Sequence, residues 1–488
     1  MSDNKYIVKI GIEVHVQLGT KKKMFCNCEN KYGETPNTLI CPICTGHPGT
    51  MPILSHEVII KAITAGLLFN CKISKFSRFD RKNYFYPDMP KNNQITQLRY
   101  PICTGGEILI GGSSIHGDII SDKIIKLNRV HLEEDVAKIN YIDNKVCLDF
   151  NRSGIPLIEI VTEPDISSAD EAYLYVTTLR KILHYTGVSN CDMEKGQMRC
   201  DVNLSLNDFE NNKSGVRLEI KNLNSFRSIY KSIQYEIDRQ KNILNKGDKL
   251  KQATLGWDDD KLETYQMRIK ETACGYRYLP EPDILPLILS DEYIRKIESE
   301  MIEHPETVKN RIKKEYGITE YDASLITNSK KLTEYFEKSA KYTTQYKMLA
   351  NWIITNFMKE LNTNKINIEN VVLSPENMSK LINLISLHTI SINAAKKIFS
   401  NIFKTNEDPN IFVKDSNFIK ITNDEEINFF ILEVINNNKK QVDQYLNGNE
   451  SIFKYLIGQV MKISNGRIQP EDIIRLLTSE LNIIKNRK

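Results

Sequence analysis

Glu13 and His15 stand two positions apart near the start of the chain, within GIEVHVQLGTKKKMFCNCEN (residues 11–30). If residues 6–18 form a β-strand, the alternation of its side chains puts Glu13, His15 and Gln17 on one face and apolar residues on the other. A carboxylate beside an imidazole could hold Mg²⁺ or a metal ion bound to phosphate. The same spacing also suits the solvent-facing side of an edge strand, so the pattern alone leaves both interpretations open.

Four cysteines follow in two pairs, and three consecutive lysines, Lys21 to Lys23, come just before them. The pairs are Cys26-x-Cys28 and Cys41-x-x-Cys44, separated by twelve residues. This arrangement suits a tetrahedral Zn²⁺ with four sulfur ligands, which would be structural because no coordination position stays open. Four buried free thiols are the alternative.

Two later segments carry carboxylates within apolar runs. In RVHLEEDVAKI, strand alternation puts Glu133 with the polar residues, whereas Glu134 interrupts the apolar face. A buried Glu134 must find a cation or be neutralised, unless the strand frays there and exposes it. In DFNRSGIPLIEIVTEPD, Glu159 stands in the middle of an apolar run. The simplest interpretation is a strand whose one polar residue, Glu159, faces water.

Basic and aromatic residues alternate in SRFDRKNYFYPDMPKNNQ, where Arg78, Arg81 and Lys82 mix with Tyr84 and its aromatic neighbours. Such a mixture stacks on bases and binds phosphates, but it is also common in ordinary strands.

Familiar nucleotide and amidase motifs are absent from the sequence. There is no G-x-x-x-x-G-K-[ST] loop and no G-x-G-x-x-G, so a nucleotide would need a site built from carboxylates and Mg²⁺. The stretch IGGSSIHGD (residues 110–118) lacks the second Gly-Gly-Ser of an amidase signature. We therefore predict a hairpin turn at its Gly-Gly pair and no serine nucleophile.

The pattern of elements changes along the chain. Short alternating runs broken by turn signals extend to about Asp291, which predicts an α+β body built around antiparallel strands. Pro280, Pro282 and Pro286 disfavour a helix where that body ends. Beyond them, apolar residues recur at three- and four-residue steps, so the remainder is predicted to be mostly helical.

Composition indicates a globular protein. The chain has 488 residues, 41% hydrophobic and 26% charged, without the long apolar run of a membrane span or the features of a signal or transit peptide. We expect about two to four domains in the cytoplasm, with no membrane contact. The ten cysteines are then thiols or metal ligands rather than disulfides. A net charge of +4 permits contact with nucleic acid without requiring it.

Longer motifs carry a resemblance to a known family. They are, in chain order, GIEVHVQL, FCNC with NTLICPIC, FDRKNYFYPDMPKNNQI, RVHLEEDVAK, FNRSGIPLIEIVTEPD, MRCDVNLSL, EIKNLNSFRS, YRYLPEPD and LIGQVMKISNGRIQP. Through them the chain resembles, over essentially its whole length, the B subunit of the bacterial glutamyl-tRNA(Gln)/aspartyl-tRNA(Asn) amidotransferase.

The resemblance implies a subunit of a three-subunit enzyme. A glutaminase A subunit would release ammonia, a small C subunit would brace the complex, and this chain would bind mischarged tRNA and activate its side-chain carboxylate with ATP. It also implies an antiparallel-sheet cradle with the catalytic site, residues 1–292, then an all-helical domain, residues 293–410. A small helical tail domain that contacts tRNA, residues 411–488, would follow.

The resemblance also implies roles for individual residues. The catalytic residues would be Glu13, His15, Glu133, Glu134 and Glu159, and the first four would hold Mg²⁺. Substrate contacts would come from Arg81, Lys82, Asn83, Tyr84, Asn151 and Arg152. Zn²⁺ on Cys26, Cys28, Cys41 and Cys44 would be a stabiliser.

The chain departs from the family pattern at three places. Cys274-Gly275 stands where a His-Asp pair is usual, Leu255 where an arginine is common, and Ala137 where a glycine is usual. Two alternatives to the full activity stay open: a B subunit that only presents tRNA, and a stand-alone Mg²⁺-dependent phosphotransferase or hydrolase. The choice between Glu-tRNA(Gln) and Asp-tRNA(Asn) depends on the synthetases of the cell.

Overall fold

Strands fill the first part of the chain and helices the rest. The computed structural model describes residues 5–208, 215–269, 275–413, 421–464 and 466–487. The chain divides into two compact units, Met1–Pro305 and Glu306–Lys488. Because the described strands all belong to the first unit, the predicted α+β class is confirmed. The three predicted domain boundaries stay predictions.

The first unit contains seventeen strands and four helices among its described residues. The strands are β1 (Tyr6–Gln17), β2 (Lys72–Ile73), β3 (Phe76–Ser77), β4 (Asp80–Asn83), β5 (Asn93–Thr96), β6 (Cys103–Thr104), β7 (Glu107–Ser113), β8 (Ile119–Glu134), β9 (Lys138–Ile142), β10 (Lys145–Asp149), β11 (Pro156–Thr162), β12 (Met198–Asp208), β13 (Leu218–Leu223), β14 (Ala253–Asp258), β15 (Glu263–Ile269), β16 (Leu279–Pro280) and β17 (Leu287–Ile288). The helices are α1 (His56–Leu68), α2 (Ala169–Tyr185), α3 (Phe226–Asn245) and α4 (Asp291–Glu300).

A ten-stranded sheet positions the site. Its order is β15-β14-β13-β12-β1-β11-β8-β6-β2, and β7 also pairs with β8. The neighbours run antiparallel, except that β13 and β14 run parallel. One face carries the apolar residues of the alternating strands, such as Ile12 and Val14 of β1, which are fully buried. They join one core with α1, α2 and α3.

Serine side chains begin two of the helices that cover this face. Ser168 accepts a hydrogen bond from the backbone N–H of Glu171 at 3.1 Å, and Ser225 does the same for Ser228 at 3.0 Å. These N-caps satisfy N–H groups that have no partner within the helix.

The hairpin predicted at Gly111-Gly112 exists, but its turn was placed wrongly. Both glycines lie inside β7, and the turn is formed by residues 114–117, where Gly117 donates to the Ser114 carbonyl at 3.1 Å. The register of β7 against β8 shifts between Ile110 and Gly112, and Gly112 has a φ of 109°. The glycine pair therefore marks a β-bulge, which sequence spacing does not distinguish from a turn.

The named elements of the second unit are all helices among its described residues. Its helices are α5 (Pro305–Tyr316), α6 (Glu320–Ile326), α7 (Lys330–Ala340), α8 (Tyr346–Trp352), α9 (Met358–Asn364), α10 (Pro375–Ser386), α11 (Ile392–Thr405), α12 (Pro409–Val413), α13 (Asp424–Asn437), α14 (Lys439–Leu446), α15 (Ser451–Ile463) and α16 (Pro470–Arg487). A π-helical turn joins α8 to α9. Apolar residues from Ile421 to Leu481 form a cluster of their own. None of the described helices has the length and apolarity needed to cross a membrane.

Candidate active site

Strand β1 lies between β12 and β11 in the middle of the large sheet, so the edge-strand interpretation is wrong. Its side chains alternate as predicted: Glu13, His15 and Gln17 are half-buried on one face, while the apolar residues are buried on the other. Residues directly opposite each other on antiparallel strands share a face. The polar face of β1 is therefore continued by polar residues of its neighbours.

His15, Glu133 and Glu159 form a first group of candidate ligands, which we call the His15 cluster. Glu159 on β11 lies opposite His15 on one side and opposite His131 of β8 on the other. His15 Nδ1 is 2.9 Å from Glu133 Oε1, and His131 Nε2 is 3.3 Å from Glu159 Oε2. One ligand atom from each of the three cluster residues lies within 4.8 Å of the others.

The charges of the His15 cluster are strongly coupled. Burial alone would lower the pKa of His15, but the adjacent Glu133 carboxylate raises it to about 9. Burial would raise the pKa of Glu159, yet His131 and His15 hold it well below its usual range. Two carboxylates thus converge on one cationic imidazole. A divalent ion could take the place of that proton, and carboxylate with imidazole suits Mg²⁺ or Mn²⁺.

Glu13, Asp201 and Glu219 form a second group, the Glu13 cluster, whose carboxylates also lie within 4.8 Å of one another. Glu13 and Asp201 face each other directly across β1 and β12. Burial raises the pKa of Glu13, and the nearby carboxylates Glu159, Asp201 and Glu219 raise it further. The Lys221 ammonium pairs with Asp201 and, at 3.1 Å, with Glu219, so it offsets part of this negative charge.

Glu134 lies away from both clusters. It is buried on the apolar side of β8, where Lys91 Nζ donates to its Oε2 at 2.6 Å and the backbone N–H of Ile95 donates to its Oε1 at 3.0 Å. The cation that a buried Glu134 requires is thus Lys91, and the frayed-end alternative is wrong. The structure does not bring Glu134 together with Glu13, His15 and Glu133.

Asp135, just after β8, anchors two arginines. Arg199 donates to Asp135 Oδ1 at 3.0 Å, Arg152 Nε lies 3.7 Å from the same oxygen, and Gln17 donates to Oδ2 at 3.1 Å. Burial would raise the pKa of Asp135, but Arg199 and Arg152 hold it below its usual value. Arg152 also donates to the carbonyls of Val136 and Ala137, at 2.9 and 2.8 Å. This network fixes both guanidinium groups beside Gln17.

A cavity of about 730 Å³ opens next to this network. Gln17, Arg152 and Arg199 line one part of it, and Tyr32 and Lys195 line another. The Lys195 ammonium lies 5.9 Å from the centre of the Tyr32 ring. A cavity with several cations and an aromatic ring, beside a cluster of carboxylates, is suited to a phosphorylated ligand held with a metal ion.

Tyrosines form a row near the His15 cluster. The rings of Tyr84, Tyr276 and Tyr278 follow one another at centroid distances of 6.0 Å, and the Lys82 ammonium lies 5.1 Å from the Tyr276 ring. Burial raises the pKa of Tyr278 to about 12, with contributions from Tyr276 and from the charges of Glu159 and Glu133. Burial likewise raises the pKa of Tyr84, and Glu133 adds to the effect. Both phenols therefore stay protonated near the carboxylates.

The other predicted substrate contacts are engaged within the protein. Arg81 forms two hydrogen bonds with Glu281, at 2.7 and 2.9 Å, and Asn83 donates to the Arg277 carbonyl at 2.6 Å. Asn151 donates to the carbonyl of Thr35 at 2.8 Å, and its Oδ1 accepts from Leu39 N at 2.8 Å. These three side chains tie segments of the unit together, although Asn151 also lines the cavity.

The four predicted zinc ligands do converge. Sulfur atoms of Cys26, Cys28, Cys41 and Cys44 lie within 4.8 Å of one another. Cys44 Sγ accepts a hydrogen bond from the backbone N–H of Cys41 at 3.2 Å. The Cys26 thiol lowers the pKa of Cys44 by donating a hydrogen bond, and burial opposes this effect. Four sulfurs at one point could hold a metal such as Zn²⁺.

Sequence reasoning missed several polar residues of the site, among them His131, Arg199, Asp201 and Glu219. Their signal was present, because RVHLEEDVAKI, MRCDVNLSL and VRLEIKNL alternate as β1 does. What the sequence lacked was the register that sets Asp201 opposite Glu13 and Arg199 opposite His15.

Two of the three departures from the family pattern lie among described residues. Leu255 is buried on β14 in a small apolar cluster with Leu218 and Ala253, and Ala137 is fully buried. Cys274 lies outside the described residues.

Two family models match the chain. One, described as the GatB/GatE catalytic domain, matches residues 8–295, and one described as the GatB domain matches residues 334–481. The first match contains every residue of the two clusters and all four cysteines.

Curated relatives match over nearly the whole chain. A protein of Caldicellulosiruptor saccharolyticus is 43% identical over 98% of this chain and all of its own length. A protein of Thermoanaerobacter pseudethanolicus is 42% identical, with the same shares covered, and one of Thermotoga sp. is 42% identical over 97% of this chain and 98% of its own length. All three are named as the B subunit of an aspartyl/glutamyl-tRNA(Asn/Gln) amidotransferase.

Proposed function

Because the chain belongs to the GatB/GatE family, we propose that it is the B subunit of an aspartyl/glutamyl-tRNA(Asn/Gln) amidotransferase. It uses ATP to activate the side-chain carboxylate of Glu-tRNA(Gln), Asp-tRNA(Asn) or both, and then amidates it. The single observation that carries this proposal is the His15 cluster, where carboxylates converge beside a cavity lined with cations.

The reaction has two steps. A carboxylate is a poor acyl donor, so one of its oxygens attacks the γ-phosphorus of ATP, which gives an acyl phosphate and releases ADP. Ammonia then attacks the acyl carbon, phosphate leaves, and a proton is lost to give the amide. Transfer of a phosphoryl group depends chiefly on positioning and on neutralising charge.

The His15 cluster and Glu13 would hold the divalent ion. Glu13 lies close enough for the Glu159 and His15 charges to act on its pKa, so these residues and Glu133 make one acidic surface on the sheet. A bound Mg²⁺ supplies positive charge for the phosphate oxygens. Glu134 is not proposed as a ligand, because its carboxylate is held by Lys91.

The cavity would bind the phosphates of ATP. Arg152 and Arg199 are held in place by Asp135, and Lys195 and Tyr32 stand on another part of the wall. Fixed guanidinium groups bind phosphate at two points and neutralise it. ATP would lie with its phosphates toward Arg199, whose backbone pairs with His15 across β1 and β12.

The tyrosine row would receive the aminoacyl end of the tRNA. Lys82 and Tyr84 stand beside Tyr276 and offer a cation and aromatic faces, which suit an unpaired terminal nucleotide. Arg81, Asn83 and Asn151 would act by holding the segments that carry these groups. The proposal that residues 411–488 contact tRNA rests on the family resemblance.

Partners follow from the chemistry of ammonia. Ammonia is protonated in water at neutral pH, so it must reach the acyl phosphate by a protected route from a glutaminase. We propose that an A subunit supplies it and that a small C subunit completes the heterotrimer, in the cytoplasm where tRNA is charged. Zn²⁺ at the four cysteines would be structural.

The test is to purify the tagged chain from its host with the proteins that accompany it and to assay Glu-tRNA(Gln) and Asp-tRNA(Asn) with ATP. We expect amidation with glutamine and with ammonia, and loss of both in Glu159→Gln with tRNA binding retained. Amidation that survives Glu159→Gln would favour a subunit that only presents tRNA. Full turnover by the isolated chain on a free carboxylic acid would favour a stand-alone phosphotransferase.

A further inference from the structure

The three consecutive lysines before the cysteines have different environments. Lys21 and Lys22 are exposed, and the Lys22 ammonium donates to Asn27 at 2.9 Å. Lys23 is fully buried, with an exposed fraction of 0%. A buried ammonium is costly unless it meets negative charge and hydrogen-bond acceptors.

Lys23 finds its acceptors at the four-cysteine centre. Its Nζ donates to Cys44 Sγ at 3.5 Å and to the Phe150 carbonyl at 3.1 Å. Within the described parts of the chain, no carboxylate forms an ion pair with it. Of its two acceptors, Cys44 is the one that can carry a balancing negative charge.

A metal at this centre would supply that charge. Four thiolates around Zn²⁺ carry a net charge of about −2, which a buried site must offset with donors and cations. The Cys41 N–H supplies one donor to Cys44, and Lys23 supplies a full positive charge to the same sulfur. Lys23 therefore lies where its positive charge would offset the negative charge of the metal-bound thiolates.

The second acceptor of Lys23 connects this centre to the cavity wall. Phe150 precedes Asn151 and Arg152, both of which line the cavity. Ser153 donates to the Cys44 carbonyl at 2.9 Å, and Met24 N donates to the Gly154 carbonyl at 2.8 Å. Gly154 has a φ of +79°, so a side chain there would be strained.

We propose that Lys23 is the built-in counter-ion of a metal-loaded four-cysteine centre and joins that centre to the segment that carries Arg152. It is a positioning residue, since its ammonium is buried against Cys44 and the Phe150 carbonyl and does not line the cavity. The amidation chemistry does not depend on this inference, because Zn²⁺ takes no part in it.

The test compares Lys23→Met, Lys23→Arg and the neighbouring control Lys22→Met in the full-length chain loaded with Zn²⁺. Zinc content is measured by atomic emission, and zinc transfer to an excess chelator is followed with a metal indicator. We expect Lys23→Met to release zinc about 10-fold faster or more, Lys23→Arg to lie between it and the wild type, and Lys22→Met to match the wild type.

A thermal-unfolding comparison separates this role from ordinary packing. Lys23→Met should lower the midpoint of the zinc-loaded chain by more than that of the chelator-stripped chain, because four thiolates around the metal leave more negative charge to be balanced. Equal destabilisation of both forms, or release from Lys23→Met at the wild-type rate, would overturn the inference. A wild-type chain that takes up no zinc on reconstitution would also overturn it and would leave the proposed amidation unaffected. If Lys23→Met does not fold, the zinc release rates of Lys23→Arg and Lys22→Met are compared instead. Faster release from Lys23→Arg supports the inference, and equal rates overturn it.

Discussion

Glu133 and Glu134 are consecutive residues whose carboxylates lie on opposite faces of the same sheet. Glu133 pairs with His15 at 2.9 Å on the polar face, and Glu134 accepts from Lys91 at 2.6 Å among apolar residues. Because side chains alternate along β8, the two glutamates cannot both reach the His15 cluster. One position in the sequence thus separates a candidate metal ligand from a structural ion pair.

Glu133→Gln and Glu134→Gln should therefore fail in different ways. Glu133→Gln should lower amidation by about 100-fold and weaken Mn²⁺ binding. Glu134→Gln should keep Mn²⁺ binding and lower the free energy of unfolding by about 3 kcal/mol, because Lys91 loses its buried partner. Activity of the complex, Mn²⁺ titration by electron paramagnetic resonance and urea unfolding measure these effects. Loss of Mn²⁺ binding in Glu134→Gln alone would contradict the assignment.

Asp135→Asn should destabilise the first unit in a pH-dependent way. The folded-state pKa of Asp135 lies below its unfolded value, so its contribution is present above about pH 4 and is lost as the pH falls through the folded pKa. We expect a loss of about 1–3 kcal/mol at pH 7 that shrinks below about pH 4, measured by urea unfolding across pH. Asp260→Asn, at an exposed aspartate, is the control. A difference that stays constant down to pH 2 would show that charge is not its cause.

His131 should act through Glu159. Arg129 Nε lies 3.4 Å from His131 Nδ1, so the hydrogen on Nε2 is left to donate to Glu159. His131→Phe should weaken Mn²⁺ binding by about 10-fold and lower kcat, with the KM for ATP unchanged. The side-chain amide of His131→Gln can still donate a hydrogen bond to Glu159, so this variant should recover part of the Mn²⁺ affinity and part of kcat. Wild-type Mn²⁺ affinity in His131→Phe would rule out a positioning role.

Zinc removal should weaken nucleotide binding. Residues between Cys28 and Cys41, among them Tyr32 and Glu34, line the cavity. If the metal no longer holds the four cysteines together, this part of the cavity wall becomes less ordered. Cys28→Ser should lower the unfolding midpoint by about 5 °C or more and weaken ATP binding measured by calorimetry. Cys147→Ser, at a thiol of β10 outside the centre, should change neither. Full ATP affinity in zinc-free Cys28→Ser would show that the wall is independent of the metal.

Local features of the site were predictable, and long-range ones were not. The spacing of the two cysteine pairs between Cys26 and Cys44 predicts that the four sulfurs lie close together. The alternation of side chains along β8 predicts that Glu133 and Glu134 lie on different faces. Glu134 remained a predicted ligand because the family resemblance does not distinguish the two. The pairing of Glu159 with both histidines, and of Asp201 with Glu13, depends on the register between distant strands. Alternation gives the face of a residue but not its neighbour across the sheet.

The central place of β1 has a consequence for synthesis on the ribosome. β1 is made first, but its partners β11 and β12 begin only at Pro156 and Met198. Until both emerge, β1 has neither of its neighbouring strands and its apolar face stays uncovered. Contacts between residues far apart in the sequence form slowly, and apolar surface that is exposed meanwhile makes nascent chains prone to aggregation. The four cysteines lie close together in the sequence, so their sulfurs can come together before β11 and β12 are synthesised. The thiol centre and the carboxylate clusters are thus separated in time as the chain is made, and no N-terminal fragment that ends before β12 contains a complete Glu13 cluster.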